Sequence, residues 1–154
     1  MPSATKPLTE NQLHVLAALR AANAPLTAYA LLERLRVWGF NAPTQVYRSL
    51  NRLVEVGVVH RLESLNAYVT CTDADHCTFG FTAFAICDSC GGVEELIDER
   101  FTASLAHLAK SHAFTPANAT VELHGNCGQC ADDRAPGCKS EQALPINDRN
   151  RIDE

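Results

Sequence analysis

Two Cys-x-x-Cys pairs are the residues of this chain whose type and spacing most directly imply chemistry. Cys87 and Cys90 form the first pair, Cys127 and Cys130 form the second, and 36 residues separate them. Two thiolates spaced in this way can point inward on one tight loop, and two such loops supply the four sulfur ligands that tetrahedral zinc prefers. The pattern therefore predicts a structural zinc site made of all four cysteines.

A redox-active or disulfide-forming pair is the alternative interpretation. A thioredoxin-like pair occurs singly before a helix in a βαβ unit, whereas this chain has two pairs, and Gly91 and Gly92 follow the first. The 36 residues between the pairs are enough for a strand, a helix and a second strand. Zinc would therefore join the two ends of a folded unit.

Composition indicates a soluble globular protein. The chain has 154 residues, of which 46% are apolar and 20% are charged. Residues 1–9 lack a basic stretch followed by an apolar run, and no apolar segment approaches the length of about 18 residues that a membrane span needs. We therefore expect a cytoplasmic protein, where seven cysteines favour metal or thiol chemistry over a disulfide framework.

Charge is distributed unevenly along the chain. Residues 1–71 carry seven Lys or Arg and four Glu, which gives +3 and leaves −8 for the remainder of a chain whose net charge is −5. A basic half joined to an acidic half suggests that the first half contacts a polyanion.

Residues 1–72 have the pattern of a winged helix-turn-helix DNA-binding domain. Thr9 and Thr27 are candidate N-caps of two helices, and a third helix ends at Gly57. The side chains expected to form the buried face of the third helix are Val46, Leu50, Leu53, Val54 and Val56. Residues 58–62 and 67–70 follow as the two strands of a hairpin, the wing.

The third helix of such a domain lies in the major groove, so its polar side should face DNA. We expect Arg48 to contact a base, because a guanidinium can bond a guanine edge at two points, and Tyr47 and Arg52 to contact phosphates. The complete set of candidate DNA-binding residues is Tyr29, Thr44, Gln45, Tyr47, Arg48 and Arg52. A solvated helix face is the alternative for these residues, and a core position is the alternative for Tyr29.

Residues 79–131 have the pattern of a small α/β dimerisation domain, which makes the fold class α+β. Strands are predicted at 79–86, 93–97 and 119–123. Asp98 is expected to cap a helix whose buried face consists of Phe101, Leu105, Leu108 and Ala109. A unit of about 50 residues is marginal alone and is usually stabilised by metal, by dimerisation or by both. Residues 73–78 are predicted to be a hinge, and residues 132–154 a disordered tail.

Four segments together resemble the ferric uptake regulator family and, within it, its zinc uptake regulator branch. They are residues 43–50, 59–68, 86–91 and 124–130, in order along most of the chain. The resemblance implies a dimeric repressor that binds palindromic operator DNA when a regulatory metal is bound, with about two zinc ions per subunit. The histidine-rich run that precedes the first cysteine pair in iron-sensing members is absent, which argues against iron. Another metal-responsive or redox-responsive regulator of the same family is the alternative.

A regulatory metal must join the two domains, so its ligands should lie on the wing, the hinge and the first strands. The set that the resemblance implies for regulatory zinc is His60, Cys71, His76 and Glu95. Cys77 is the alternative to His76, and Glu94 is the alternative to Glu95. A thiolate beside imidazole favours zinc over iron or manganese. Both predicted sites fill four positions with protein groups, whereas catalytic zinc keeps one position open, so we expect no enzyme.

Overall fold

The computed structural model describes residues 7–72 and 81–131. The predicted hinge at 73–78, which contains His76 and Cys77, and the predicted tail at 132–154 lie outside the described residues. Within the described ranges, no helix is both long enough and apolar enough to cross a bilayer.

The first described part of the chain contains three α-helices, α1 at Glu10–Ala22, α2 at Ala28–Leu35 and α3 at Pro43–Glu55, and a short 3₁₀ helix at Arg36–Trp38 directly after α2. The Thr9 hydroxyl accepts the backbone N–H of Gln12, and the Gln12 side chain accepts the backbone N–H of Thr9. The Thr27 hydroxyl accepts the backbone N–H of Ala30 at the start of α2. Both predicted N-caps are therefore confirmed.

The helices pack around a core to which α3 contributes Val46, Leu50 and Leu53, all fully buried. Val54 is 39% exposed, so the prediction that it is buried is wrong. One residue along a helix rotates the side chain by about 100°, and because Leu53 faces the core, Val54 turns toward solvent.

The wing consists of β1 at Val59–Leu62 and β2 at Ala67–Thr70, which pair antiparallel. Its turn occupies residues 63–66. The backbones of Leu26 and Tyr68 exchange two hydrogen bonds of 3.0 and 2.8 Å, which attach β2 to the segment before α2. The wing and the helices therefore form one continuous unit.

The second part of the chain contains a three-stranded sheet and two helices. Its elements are β3 at Phe81–Cys87, β4 at Val93–Leu96, α4 at Glu99–Ser111, β5 at Ala119–Gly125 and α5 at Gly128–Ala131. Strand β3 lies in the centre, antiparallel to β4 and parallel to β5. The Asp98 carboxylate accepts two backbone N–H groups at the start of α4, as a capping residue should. The α+β fold class is confirmed.

Helix α4 buries none of its residues within the single chain. Leu108 is 55% exposed, so the predicted burial of this helix face is wrong for the isolated subunit. A cavity of about 410 Å³ separates α4 from the sheet, with Phe101 on the helix side and Phe81 and Leu96 on the sheet side. The apolar pattern of α4 is real, but the described residues of this chain leave it uncovered.

The wing packs directly on the three-stranded sheet. Leu62 from β1 is fully buried against Phe84 and Ile86 of β3. Leu65 and Val69 of the hairpin and Val93 of β4 surround this small core. The two halves of the molecule therefore contact each other through the wing.

Candidate metal centres and DNA-binding surface

The four paired cysteines converge at one end of the sheet. Their sulfur atoms all lie within 4.8 Å of one another, with the Cys90 and Cys127 sulfurs 4.0 Å apart. Cys87 ends β3 and Cys90 lies in the turn after it, whereas Cys127 and Cys130 follow β5. Because these neighbouring strands are parallel, both pairs lie at the same end of the sheet. Zinc–sulfur bonds of about 2.3 Å in a tetrahedron imply sulfur atoms about 3.8 Å apart. The four side chains therefore fit the predicted metal.

Backbone groups around the four cysteines favour the thiolate form and leave space for the sulfur atoms. The N–H of Cys127 donates to the Cys87 sulfur at 3.3 Å. This hydrogen bond and one from the Cys90 backbone lower the pKa of the Cys87 thiol to about 6. A Cβ atom on Gly92 would lie 3.2 Å from the Cys90 sulfur, so glycine leaves the room that this sulfur occupies. Cys87 is therefore largely a thiolate at neutral pH, which is the form that binds zinc.

A second cluster joins the wing to the sheet. His60 on β1, Cys71 just after β2 and Glu95 on β4 bring their donor atoms within 4.8 Å of one another. Oε1 of Glu95 lies 3.8 Å from Nε2 of His60 and 3.9 Å from Sγ of Cys71. The Glu95 side chain is 7% exposed. Nitrogen, sulfur and carboxylate donors in this arrangement suit zinc.

Neighbouring groups orient this second cluster. Oε2 of Glu95 accepts the backbone N–H of Thr72 at 2.9 Å and the Thr72 hydroxyl at 2.5 Å, which leaves Oε1 directed at the other two donors. Burial lowers the pKa of His60, although the nearby Glu95 charge acts in the opposite direction. The imidazole is therefore neutral at pH 7, as a metal ligand must be. Sequence reasoning missed Thr72, whose only signal is its position next to Cys71.

The structure brings together three of the four side chains predicted for regulatory zinc. The fourth, His76, and its alternative Cys77 lie outside the described residues. Glu94 is exposed and is not in the cluster, because successive side chains of β4 point to opposite faces of the sheet. The geometry thus favours Glu95 over Glu94.

Both clusters contain a cysteine that is oxidised in the structure. Cys71 and Cys130 are each disulfide-bonded. Zinc binds cysteine as the thiolate, so each cluster needs its cysteine reduced before it can hold the metal with all its donors. Reduction is therefore a condition for any metal-binding experiment on this chain.

The predicted DNA-binding residues differ in how they are presented. Thr44 and Arg48 are exposed on α3, and Tyr29 is 65% exposed at the start of α2, which excludes the core position considered for it. Tyr47 is half-buried and packs against the helical core. Arg52 donates to the Glu55 carboxylate at 3.1 Å, so its charge is partly neutralised before it meets a phosphate.

Gln45 has a structural task that its sequence position did not reveal. Its side-chain oxygen accepts the backbone N–H groups of Asn41 at 2.7 Å and Ala42 at 3.1 Å. These bonds satisfy N–H groups at the start of α3 and fix how the chain enters the helix. Any DNA contact by Gln45 must use its amide nitrogen, because the oxygen is already engaged.

Comparison with known proteins identifies the family. Residues 7–124 match the model of the Ferric uptake regulator family. The chain is 34% identical to the Zinc uptake regulation protein of Escherichia coli (strain K12) over 149 residues, covering 94% of this chain and 86% of that protein. The protein of the same description from Mycobacterium tuberculosis (strain H37Rv) is 31% identical over 108 residues, covering 68% and 78% respectively.

Solved structures agree with the sequence matches. A zinc uptake regulator complexed with zinc and DNA superimposes with a TM-score of 0.76 at 36% identity, covering 83% of this chain and 85% of that chain. Holo XcZur gives a TM-score of 0.72 at 39% identity, covering 80% and 86%. The resemblance inferred from the four sequence segments is confirmed, and the chain belongs to the ferric uptake regulator family.

Proposed function

We propose that this protein is a zinc-responsive transcriptional repressor that binds operator DNA as a homodimer. The observation that carries the proposal is the cluster of His60, Cys71 and Glu95, whose members come from the wing and from the sheet. A metal bound there links the part that carries α3 to the part that carries α4. The relatives described as zinc uptake regulation proteins, and the similar structure bound to zinc and DNA, support the same conclusion.

Each subunit holds two zinc ions with different roles. The structural zinc is bound by Cys87, Cys90, Cys127 and Cys130. The regulatory zinc is bound by His60, Cys71 and Glu95, with His76 as the fourth ligand. Because all four positions around each ion are filled by protein, neither ion has the open position that hydrolytic chemistry requires, and the protein is a regulator and not an enzyme.

Dimerisation involves the apolar surface that α4 leaves exposed. The cavity beside α4, together with the exposed Leu108 and Leu123, is surface that a second copy can cover. A two-fold dimer presents two α3 helices, which suits a palindromic operator with half-sites about one helical turn apart. Regulatory zinc selects the arrangement in which both helices reach their half-sites together. The requirement for reduced cysteines at both zinc sites and the DNA partner fit a cytoplasmic location.

Operator binding as a function of free zinc tests the proposal. A palindromic duplex is first selected from random DNA by the zinc-loaded protein, and its binding to reduced protein is then followed by fluorescence anisotropy in zinc buffers. We expect zinc to tighten binding by about 100-fold, and iron and manganese to have little effect. Equal affinity with and without zinc at the regulatory site would contradict the proposal.

A redox-responsive regulator is the second candidate, because Cys71 lies beside Glu95 in the second cluster, where oxidation of its sulfur would remove a metal ligand. The same titration separates the two candidates when it is repeated on oxidised protein. A redox regulator changes its operator affinity on oxidation even at constant zinc occupancy. A zinc regulator changes its operator affinity on oxidation only to the extent that oxidation removes zinc.

A further inference from the structure

A polar contact joins the wing to the sheet on the side away from the second metal cluster. Glu95 on β4 and Glu122 on β5 both pair with Phe84, which lies between them on the central strand. Directly paired side chains lie on the same face of a sheet, so both carboxylates flank the apolar core under the wing. The metal cluster is at one edge of this core, and Glu122 is at the other.

The Glu122 carboxylate holds the turn of the wing. Its two oxygens accept the backbone N–H groups of Glu63 at 2.6 Å and Ser64 at 3.1 Å. Two residues further along β5, on the same face of the sheet, His124 lies 3.0 Å from the Ser64 hydroxyl through Nε2 and 3.1 Å from Asp88 through Nδ1. We call Glu122, His124 and the two turn residues the β5 clasp. It connects positions about 60 residues apart in the chain without a metal.

The β5 clasp is a hydrogen-bonded contact and not a third metal site. The carboxylates of Asp88 and Glu122 approach opposite nitrogens of the His124 ring, so they cannot meet at one ion. Partial burial raises the pKa of Glu122, but hydrogen bonds from Ser64 and Glu63 and the charge of His124 outweigh burial and lower the pKa below its usual value. Glu122 is therefore ionised at neutral pH, and its hydrogen bonds to the turn are charge-assisted.

We propose that Glu122, supported by His124, is a positioning residue that holds the wing in the orientation in which His60 and Cys71 face Glu95. The inference rests on the proposed function, because its consequence is a change in zinc response. The wing is held at two edges: Thr72 bonds to Glu95 at the edge of the metal cluster, and the clasp holds the opposite edge through the turn. Without the clasp, a smaller fraction of molecules has the cluster assembled, and the apparent zinc affinity falls by the same factor.

Substitutions at Glu122 test this role in the full-length, reduced protein. Glu122→Ala removes both acceptors, whereas Glu122→Gln keeps one oxygen and should lose only part of the effect. We expect the free zinc concentration at half-maximal operator binding to rise by about tenfold for Glu122→Ala, which corresponds to the loss of about one charge-assisted hydrogen bond. Operator affinity and zinc content at saturating zinc should remain those of the wild type.

Amide hydrogen exchange gives a readout that does not involve DNA. The N–H groups of Glu63 and Ser64 should exchange several-fold faster in Glu122→Ala than in the wild type, both with and without zinc, because they lose their acceptor. Glu94→Gln is the matched control, since it makes the same change of charge at an exposed position on β4. It should leave both readouts unchanged.

The outcomes separate this inference from the proposed function. The positioning role is wrong if the wild type responds to zinc and Glu122→Ala reaches half-maximal operator binding at the same free zinc concentration, with the same amide exchange. A lower zinc content of Glu122→Ala at saturation would also overturn it, because Glu122 would then act on metal retention. If the wild type itself does not respond to zinc, the proposed function fails, whatever the exchange data show.

Discussion

The two metal clusters differ in where their ligands come from. All four cysteines of the first cluster lie at one end of the three-stranded sheet, with Cys87 as the last residue of β3 and the other three in the segments that follow β3 and β5. The second cluster takes His60 and Cys71 from the wing and Glu95 from the sheet. A metal held within one unit can only stabilise that unit, whereas a metal held between two units changes their arrangement. The origin of the ligands, more than the ligand types, is the basis on which we propose a structural role for the first cluster and a regulatory role for the second.

Ligand chemistry points in the same direction. Four thiolates bind zinc tightly, and the backbone already favours the thiolate of Cys87 before metal arrives. The second cluster combines one sulfur with an imidazole and a carboxylate, which suits a site that must gain and lose zinc as its concentration changes. Four tests can break or sharpen this comparison, and they are ordered from the largest expected effect to the smallest.

Loss of a cysteine from the first cluster should have the largest effect. We expect Cys127→Ser to unfold residues 81–131 or to leave the protein monomeric, because structural zinc contributes about 10 kcal/mol or more in small zinc-dependent domains. Circular dichroism, size-exclusion chromatography and zinc content measure the change. A folded dimer that retains two zinc ions would remove the structural role from this cluster.

The same substitution in the second cluster should spare the fold. Cys71→Ser is expected to keep the secondary structure and one zinc ion, but to lose the roughly 100-fold tightening of operator binding by zinc. Anisotropy titration in zinc buffers measures the response, with Cys127→Ser as the comparison. If Cys71→Ser unfolds the protein as Cys127→Ser does, the two clusters do not have separate roles.

Neighbouring glutamates on β4 test the placement of the second cluster. Glu95→Ala removes a buried carboxylate beside His60 and Cys71, and we expect the zinc concentration needed for operator binding to rise by about 10- to 100-fold. Glu94→Ala changes the adjacent, exposed side chain and should have no effect. If Glu94→Ala raised the required zinc concentration and Glu95→Ala did not, the cluster would contain Glu94 and not Glu95.

Thr72→Val should have the smallest effect. It removes the hydroxyl that donates to Oε2 of Glu95 but keeps the backbone N–H that donates to the same oxygen. We expect zinc affinity at the second cluster to fall by up to about tenfold, since outer partners tune a metal ligand without replacing it. Competition with a zinc chelator measures the affinity. An unchanged value would mean that the backbone bond alone orients Glu95.

Features with local signals could be predicted from the sequence. Thr9, Thr27 and Asp98 each precede a helical pattern, and each accepts the N–H groups that a capping residue must accept. Strand β2 has the predicted bounds. The two Cys-x-x-Cys pairs indicated their site because the spacing itself carries the chemistry.

Features that depend on distant pairing or on local backbone geometry could not be predicted. The contact of Glu122 with the wing turn requires the register in which β5 pairs with β3, and nothing in residues 119–125 indicates it. Gln45 was assigned only to DNA because its turn toward Asn41 depends on local backbone geometry. The apolar face of α4 was assigned to the core of this chain because periodicity shows that a face is apolar and does not show what covers it.

A titration that starts from protein with one zinc ion per subunit tests the central claim most directly. Operator binding and circular dichroism are followed together as the second equivalent of zinc is added under reducing conditions. We predict that the second zinc tightens operator binding by about 100-fold while the circular dichroism spectrum and the oligomeric state stay constant. Operator affinity that is the same with one zinc ion as with two would contradict the separation of a structural site from a regulatory one.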